Sequence, residues 1–293
     1  MFTTTKVNSF IPKDTAISFD RVTFAYNHGE EIFRDASFAI PKGGFFFLNG
    51  ASGSGKSSLL KLIYNANKYY LGSLKVMGQE MKNIKESQLP DFRRKIGIVF
   101  QEFHLFDHLS TVDNVALPLT LNGEPLVQAR EKAAELLSWI GLGSFLHKMP
   151  TILSGGQRQR VAMARAIIND PDIILADEPT GHVDDANAMK IMALFQTLHD
   201  RGKTLILSTH NRSIMDTMGY PKLTIEKGTV ALKKEDPKFS VSGIEKSHVN
   251  PVGTSPEQEH NVSSPYVGDS SYTGTALHTD APKVNLFKEM ENV

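Results

Sequence analysis

The sequence predicts an α/β fold with a mainly parallel central sheet. Short apolar runs of strand length recur along the chain, and segments with helical spacing lie between them. Strands that are apolar on both faces and alternate with helices are typical of parallel sheets covered on both sides. Four runs carry this pattern, at residues 45–48, 96–100, 173–176 and 204–207.

The elements around these runs follow from periodicity. Alternating apolar residues over 17–24 predict a half-buried strand ahead of the first run. The spacing predicts a helix over 57–65, and a strand that ends in a turn over 72–78. Between the last two runs, apolar residues from Met189 to Leu198 are spaced as on a helix.

Residues 102–170 predict an inserted helical lobe. The segment 122–125, Asn-Gly-Glu-Pro, opens a helix, and Pro125 is suited to its first turn. Apolar residues at helical spacing follow, and Gly141 ends them. A long helix is predicted over about 156–168, closed by a proline-containing turn.

Composition divides the chain into three segments. Residues 1–15 form a polar lead-in, and residues 16–232 hold all of the predicted strands and helices. Residues 233–293 are rich in Ser, Thr, Pro, Gly, Asn and His and show no periodicity, which predicts a disordered tail.

Composition and charge exclude several classes of protein. Of the 293 residues, 40% are apolar, which is enough for a sizeable core. Lys+Arg and Asp+Glu both number 32, and this balance argues against a nucleic-acid binder, which usually carries a basic excess. The absence of cysteine excludes disulfides and Cys-ligated metal sites. No run approaches the roughly 18 apolar residues of a membrane helix, and the first residues lack a signal-peptide core. We therefore expect a soluble protein without direct membrane insertion.

The strongest chemical motif is the glycine-rich loop after the first apolar run. Its sequence, GASGSGKS over 50–57, fits the phosphate-binding pattern GxxxxGK[ST]. Glycines let the backbone turn tightly so that amide N–H groups point at phosphate oxygens, and the following helix adds its positive end. Lys56 is expected to reach the β- and γ-phosphates, and Ser57 to ligate Mg²⁺. The candidate nucleotide-binding residues here are Gly50, Ala51, Ser52, Gly53, Ser54, Gly55, Lys56, Ser57 and Ser58.

Polar residues follow three other predicted strands, and ligands of open parallel sheets sit beyond these strand ends. Asp177 is placed to hold Mg²⁺, directly or through water, and Glu178 to take a proton from an attacking water. His210 could hydrogen-bond a γ-phosphate and position that water, and Gln101 could reach the water or Mg²⁺. Taken alone, a histidine is more often structural, and Asp-Glu after a strand is often a helix start.

A second candidate anion site is the LSGGQ segment at 153–157. Ser154 and the amides of Gly155 and Gly156 face outward at a predicted helix N-terminus. The chain holds one glycine loop and one LSGGQ, and the residues themselves say only that the two anion sites are separate.

The set GASGSGKS, Gln101, LSGGQ, IILADE and His210, in this order, resembles the ABC-type ATPases over residues 17–230. The resemblance implies a P-loop NTPase fold with an N-terminal antiparallel β subdomain and an inserted α-helical subdomain. It implies ATP and Mg²⁺ as cofactors, Tyr26 stacking on adenine, and a loop at 181–184, with Asp184, that communicates between the halves of a dimer. LSGGQ, through Ser154 to Gln157, would close over ATP held by the other subunit of a head-to-tail homodimer.

Within that family, the stretches at 59–65, 89–119 and 174–185 resemble the cell-division ATPases of the FtsE type. This likeness implies a membrane partner similar to FtsX, a cytoplasmic position at the inner face of the cell membrane, and control of cell-wall hydrolases during division. The partner's helix would press near Gln101. Phe103, Leu105 and Phe106 would line that docking groove or, alternatively, pack under the helical lobe.

Two departures from the family pattern stand out, and three alternatives remain. His182-Val183 replaces the usual Asn-Leu, and Asn211 replaces a common Asp, but neither change removes a catalytic group.

The first alternative function is that of an ATPase subunit for lipoprotein release or macrolide export. A soluble module acting on DNA or ribosomes is disfavoured by the neutral charge and by the lack of coiled-coil insertions or a second ATPase unit. A non-hydrolysing scaffold is disfavoured by Glu178.

Overall fold

The computed structural model describes residues 14–26, 29, 31–181 and 183–233. The chain divides into two units, 1–236 and 237–293, and only the first contains described residues. Most of the polar lead-in, His182, and the predicted tail from 234 onward therefore lie outside the described residues.

The N-terminal part forms a four-stranded antiparallel sheet. It is built from β1 (Thr15–Ala25), β2 (Glu31–Pro41), β4 (Leu71–Val76) and β5 (Gln79–Glu80), in the order β2-β1-β4-β5. Aromatic side chains of β1 and β2 pack on one another, with the rings of Phe19 and Phe38 stacked 4.4 Å apart. The alternating pattern over 17–24 correctly predicts β1, since Ile17, Phe19, Val22 and Phe24 are buried.

The central sheet has six strands, five of them parallel. They are β3 (Phe45–Gly50), β6 (Ile96–Val99), β7 (Ile173–Asp177), β8 (Thr204–Ser208), β9 (Lys222–Glu226) and β10 (Thr229–Lys233). The order is β10-β9-β3-β8-β7-β6, and only β10 runs antiparallel to its neighbour. The mainly parallel sheet predicted from the four apolar runs is confirmed, because each run forms one of its strands.

Three helices follow strands of this sheet. These are α1 (Lys56–Ile63) after β3, α6 (Asp185–Asp200) between β7 and β8, and α7 (Arg212–Met218) between β8 and β9. A shorter helix, α2 (Leu89–Arg94), precedes β6. The apolar side of α6 is buried at Ile191, Met192 and Phe195, whereas Met189 is exposed.

The inserted helical lobe consists of α3 (Thr111–Leu121), α4 (Leu126–Trp139) and α5 (Gly155–Ile167). Pro125 stands just before α4 rather than inside its first turn. Sequence spacing does not mark α3, because Pro118 lies in its interior and proline lacks the N–H that a helix interior uses. None of the helices among the described residues combines the length and apolar character that crossing a bilayer requires.

Candidate functional site

Four loops meet at the carboxyl edge of the central sheet. The glycine loop follows β3, Gln101 follows β6, Asp177 ends β7, and His210 follows β8. Because these strands are parallel and adjacent, their ends open into one cavity of about 630 Å³. The cavity is lined by Tyr26, Ile32, Ser52, Gly53, Gly55, Lys56, Ser57, Ser58, Gln101, Asp177, Glu178 and His210. The structure thus brings together residues that are up to 184 positions apart, from Tyr26 to His210.

Two glycines of the loop are required by its close packing. Gly55 has φ +102°, and a Cβ there would lie 2.3 Å from Cγ2 of Ile32. At Gly50 a Cβ would lie 2.5 Å from Oγ of Ser54 and 2.8 Å from the carbonyl oxygen of Ile225. Such contacts are far inside van der Waals separation, so side chains at these positions would push the loop out of its conformation.

Lys56 is nearly buried and lies inside the loop that precedes it. Its Nζ donates to the carbonyl oxygens of Gly50 at 2.9 Å and Ala51 at 3.1 Å. Oγ of Ser54 is buried and has no hydrogen-bond partner among the described residues. The loop therefore offers the Lys56 ammonium and the unpaired Ser54 hydroxyl as hydrogen-bond donors. These donors fit a ligand rich in acceptor oxygens, such as a phosphate chain.

Glu178 and His210 form a contact across the cavity. Nδ1 of His210 lies 3.0 Å from Oε2 of Glu178, with the glutamate side chain only 11% exposed and the histidine 74% exposed. Glu178 has φ +47°, a conformation that costs a non-glycine residue about 1–3 kcal/mol and is typical of functional sites. Its amide is held by Ser208, whose carbonyl oxygen and Oγ both accept from it.

The oxygen donors in the cavity suit a magnesium ion. Ser57 offers a hydroxyl, Gln101 an amide oxygen and Asp177 a carboxylate, which are the hard ligands that Mg²⁺ prefers. Among the described residues there is no group of three His, Asp or Glu that could hold a metal alone. This donor set therefore fits Mg²⁺ bound through few protein ligands together with phosphate oxygens and water.

Tyr26 forms the wall of the cavity beside α1. Its hydroxyl hydrogen-bonds Oγ of Ser58 at 3.1 Å, and its ring stands edge-on to Phe24 at 4.8 Å. The side chain is 44% exposed, which leaves ring surface free to contact a planar ligand.

The LSGGQ segment lies on a different surface from this cavity. Ser154 caps α5: its Oγ accepts from the amide of Gln157, and the Gln157 side chain accepts from the amide of Ser154. Neither residue lines the 630 Å³ cavity, and nor do Gly155 and Gly156. The two anion-site candidates of the sequence are thus separate within one chain.

The start of α6 lies against the start of α5. Asp184 caps α6 by accepting from the amide and side chain of Asn187, and these hydrogen bonds lower the pKa of its carboxyl. A Cβ on Gly156 would lie 3.1 Å from Cγ of Asn187, so the first turn of the LSGGQ helix and the first turn of α6 are in close contact. Asp184 and the LSGGQ segment therefore belong to one surface.

The segment after Gln101 is held by the helical lobe. Phe103 and His104 both have positive φ values, +37° and +48°, and Arg165 of α5 donates to both of their carbonyl oxygens, at 2.9 and 2.6 Å. Asn114 of α3 pairs with the amide and carbonyl of Phe106. The Phe106 side chain remains 44% exposed, although the Arg165 guanidinium lies 5.9 Å from its ring.

Replacing Arg165 by alanine should loosen this segment. Burial already lowers the pKa of the guanidinium, and its loss leaves two carbonyl oxygens without their donor. We expect Arg165→Ala to reduce the free energy of unfolding by about 2 kcal/mol, measured by urea denaturation. Arg158→Ala is the matched control, since this arginine of the same helix lies over the Phe103 ring. Equal losses from both variants would contradict a specific role for the Arg165 hydrogen bonds.

The fold and the cavity define a P-loop protein built to bind a nucleoside triphosphate. The family described as ABC transporter matches residues 33–181, and the chain belongs to this family of ATP-binding cassette proteins.

Proteins of known name are similar over most of the chain. The cell division ATP-binding protein FtsE of Bacillus subtilis is 36% identical over 214 residues, covering 73% of this chain and 94% of that protein. FtsE of Escherichia coli K12 is 37% identical over 212 residues, covering 72% and 96%. An uncharacterized ABC transporter ATP-binding protein of Thermotoga maritima is 43% identical over 195 residues, covering 65% and 83%. The chain is thus an ABC ATPase with clear similarity to FtsE.

Solved structures show the same fold. The ATP-binding cassette MJ0796, in a dimeric post-hydrolysis state bound to ADP and phosphate, superposes with a TM-score of 0.69 at 35% identity. The match covers 74% of this chain and 98% of that one.

The sequence does not mark three residues that shape the site. Ser208, Arg165 and Asn187 each act through contacts between distant elements, so no local motif marks them. The only available signal for Ser208 is its position at the end of an apolar run, opposite the strand that ends in Asp177.

Proposed function

We propose that this chain binds ATP with Mg²⁺ and hydrolyses it as the ATPase subunit of a membrane complex of the FtsEX type. The observation that carries the proposal is the single cavity in which the glycine loop faces Asp177, Glu178 and His210. The similarity to FtsE over most of the chain supports the cell-division assignment.

The polar and aromatic residues of the cavity have distinct roles in this proposal. The loop from Gly50 to Ser58 surrounds the phosphates, Lys56 contacts the β- and γ-phosphates, and Tyr26 stacks on the adenine. When bound, Mg²⁺ neutralises developing charge on the phosphates, and Ser57, Gln101 and Asp177 are the residues that would hold it.

Hydrolysis needs a base for the attacking water. The Glu178 carboxylate accepts the proton of that water at Oε1 or Oε2, and its low exposure shields it from bulk solvent. His210, in contact with Oε2, orients the carboxylate and can donate a hydrogen bond to the γ-phosphate. Gln101 lines the same cavity and is proposed to help position this water.

The active unit in this proposal is a head-to-tail homodimer. Ser154, Gly155, Gly156 and Gln157 lie outside the cavity of their own chain, so they are available to cover ATP held by a second chain. Asp184, next to this surface, is proposed to carry the communication between the two halves. The dimeric state described for MJ0796 supports this arrangement.

The membrane partner is proposed to dock beside Gln101, on the surface of Phe106. We expect Phe106→Asp to abolish co-purification of the partner from detergent-solubilised membranes, while ATPase activity of the isolated chain is unchanged. Leu121→Asp is the matched control, because Leu121 is an exposed apolar residue of the same lobe, 73% exposed at the end of α3. Retention of the partner by Phe106→Asp would contradict this docking site.

The identity of that partner separates the two leading functions. A permease of the FtsX type supports control of cell-wall hydrolases during division. A permease that carries lipoproteins or macrolides would instead support an exporter. The similarity to an uncharacterized ABC transporter ATP-binding protein of Thermotoga maritima keeps a transport role as the alternative, without naming what is transported. Mass spectrometry of the co-purified membrane protein distinguishes them.

Residues 16–232 are proposed to form a complete catalytic domain, with the tail dispensable for hydrolysis. Every candidate site residue lies at or before His210, and the last strand of the sheet ends at Lys233. We expect a chain lacking 235–293 to hydrolyse ATP within about twofold of the full chain, as is usual when no site residue is removed. A large loss of kcat would mean that the tail belongs to the enzyme or its regulation.

A further inference from the structure

Ser208 lies at the end of β8, between the two strands that carry the main motifs of the site. It is the last residue of β8, is fully buried, and pairs in register with Asp177 on β7 and with Leu48 on β3. It therefore stands between the strand that leads into the glycine loop and the strand that ends in the carboxylates.

The Ser208 hydroxyl contacts both acidic residues of the site. Its Oγ donates to Oδ1 of Asp177 at 2.5 Å and accepts from the amide N–H of Glu178 at 3.1 Å. The Ser208 carbonyl oxygen accepts from the same amide at 3.0 Å. A hydroxyl has one proton, and here that proton is committed to a carboxylate oxygen.

These hydrogen bonds restrain the rotation of the Asp177 carboxylate and the backbone conformation of Glu178. The bond to Oδ1 fixes the rotation of the Asp177 carboxylate, and a hydrogen bond to a charged acceptor is stronger than one between neutral groups. The bonds to the amide hold Glu178 in its positive-φ conformation, which directs its side chain toward His210. Hydrogen bonds of this kind behind metal-ligating carboxylates tune the affinity of a site for its metal.

We propose that Ser208 is a positioning residue that orients Asp177 for Mg²⁺ and Glu178 for the attacking water through one hydroxyl. The inference rests on the function proposed above for these two acids. Ser208 belongs to none of the motifs named above: it lies outside the phosphate loop, the LSGGQ segment and the strand-end acids. It stands two positions before His210. A purely structural serine would instead affect folding and nucleotide binding alike, with no preference for the metal.

The test measures coupling between Mg²⁺ and nucleotide in the full-length chain. Calorimetry gives the Kd of a non-hydrolysable ATP analogue in EDTA and in saturating Mg²⁺. The Kd in EDTA divided by the Kd in Mg²⁺ reports how much the metal strengthens nucleotide binding. We expect Ser208→Ala to leave the Kd in EDTA within about twofold of wild type and to lower the ratio by about tenfold or more. The kcat for ATP should fall by a similar factor.

Two further variants control for folding and for loss of a buried hydroxyl. Ser208→Thr keeps the hydroxyl on a residue type that strands favour, and it should restore most of the coupling. Thr224→Val removes a buried hydroxyl from β9 that has no hydrogen-bond partner among the described residues, and it should change neither value. A wild-type ratio in Ser208→Ala, or an equal weakening with and without Mg²⁺, would overturn the proposal.

Asp177→Asn separates this proposal from the function on which it rests. If Asp177→Asn leaves the ratio unchanged, the assignment of Asp177 to Mg²⁺ is wrong, and the proposed function must be revised. If Asp177→Asn lowers the ratio while Ser208→Ala does not, the ATPase function stands and the role of Ser208 is wrong.

Discussion

Glu178→Gln is expected to stop ATP hydrolysis while leaving ATP binding intact. The change removes the carboxylate that we propose accepts a proton from water, but it keeps the shape of the side chain and its ability to contact Nδ1 of His210. General bases contribute about 10²- to 10⁴-fold to rate, so kcat should fall by at least about 100-fold. Phosphate release measures the rate, and calorimetry with ATP measures the retained affinity.

The same variant should accumulate as a dimer in ATP. If ATP is held between two chains and hydrolysis releases them, blocking hydrolysis traps the closed form, which sedimentation or size-exclusion chromatography detects. Glu131→Gln is the matched control, because Glu131 is an exposed glutamate on α4. A normal rate of hydrolysis in Glu178→Gln would show that another group is the base.

Lys56→Ala is expected to lose most of the affinity for ATP. Lys56 is only 9% exposed and reaches across the loop to two carbonyl oxygens, so its ammonium is held where the phosphate chain would lie. Charge-assisted hydrogen bonds contribute about 1.5–3 kcal/mol, which corresponds to a Kd about 10- to 100-fold higher. Titration with a fluorescent ATP analogue measures the change.

Lys61→Ala on the same helix controls for loss of a positive charge. Lys61 is exposed and lies in the last turn of α1, away from the cavity lining. Unchanged ATP affinity in Lys56→Ala would remove the main support for the phosphate-binding assignment of the loop.

Four of the six strands of the central sheet are predictable because they are apolar on both faces. The runs at 45–48, 96–100, 173–176 and 204–207 need no partner information to be recognised as buried strands. Other elements have weaker sequence patterns and cannot be recognised in the same way. Pro118 obscures α3, and the hairpin of β9 and β10 is short, with strands of five residues each around Lys227-Gly228.

The site residues that lie in contiguous motifs or directly after predicted strands are predictable from the sequence. The glycine loop is contiguous, and strand ends bring Gln101, Asp177, Glu178 and His210 to one edge. The tuning of the site was not predictable, because it depends on register and on contacts between distant elements. The Ser208 hydroxyl reaches Asp177 only because β7 and β8 align these two residues, and Lys56 turns back to carbonyl oxygens of its own loop.

The separation of the LSGGQ segment from the cavity defines the central claim. Within one chain, Ser154 and its neighbours do not line the cavity that Lys56 occupies. ATP hydrolysis would then require the glycine loop of one chain and the LSGGQ segment of another. We propose that each ATP site is shared between two subunits in this way.

Mixing two inactive variants tests that claim most directly. Lys56→Ala disables the glycine loop, and Ser154→Arg blocks the LSGGQ segment, so each variant alone should show almost no ATPase activity. In a head-to-tail heterodimer, one site combines the intact loop of the Ser154 variant with the intact LSGGQ of the Lys56 variant. We therefore predict that an equimolar mixture regains a measurable fraction of wild-type ATP hydrolysis. A mixture as inactive as its components, from variants that are folded and form mixed dimers, would contradict a site shared between subunits.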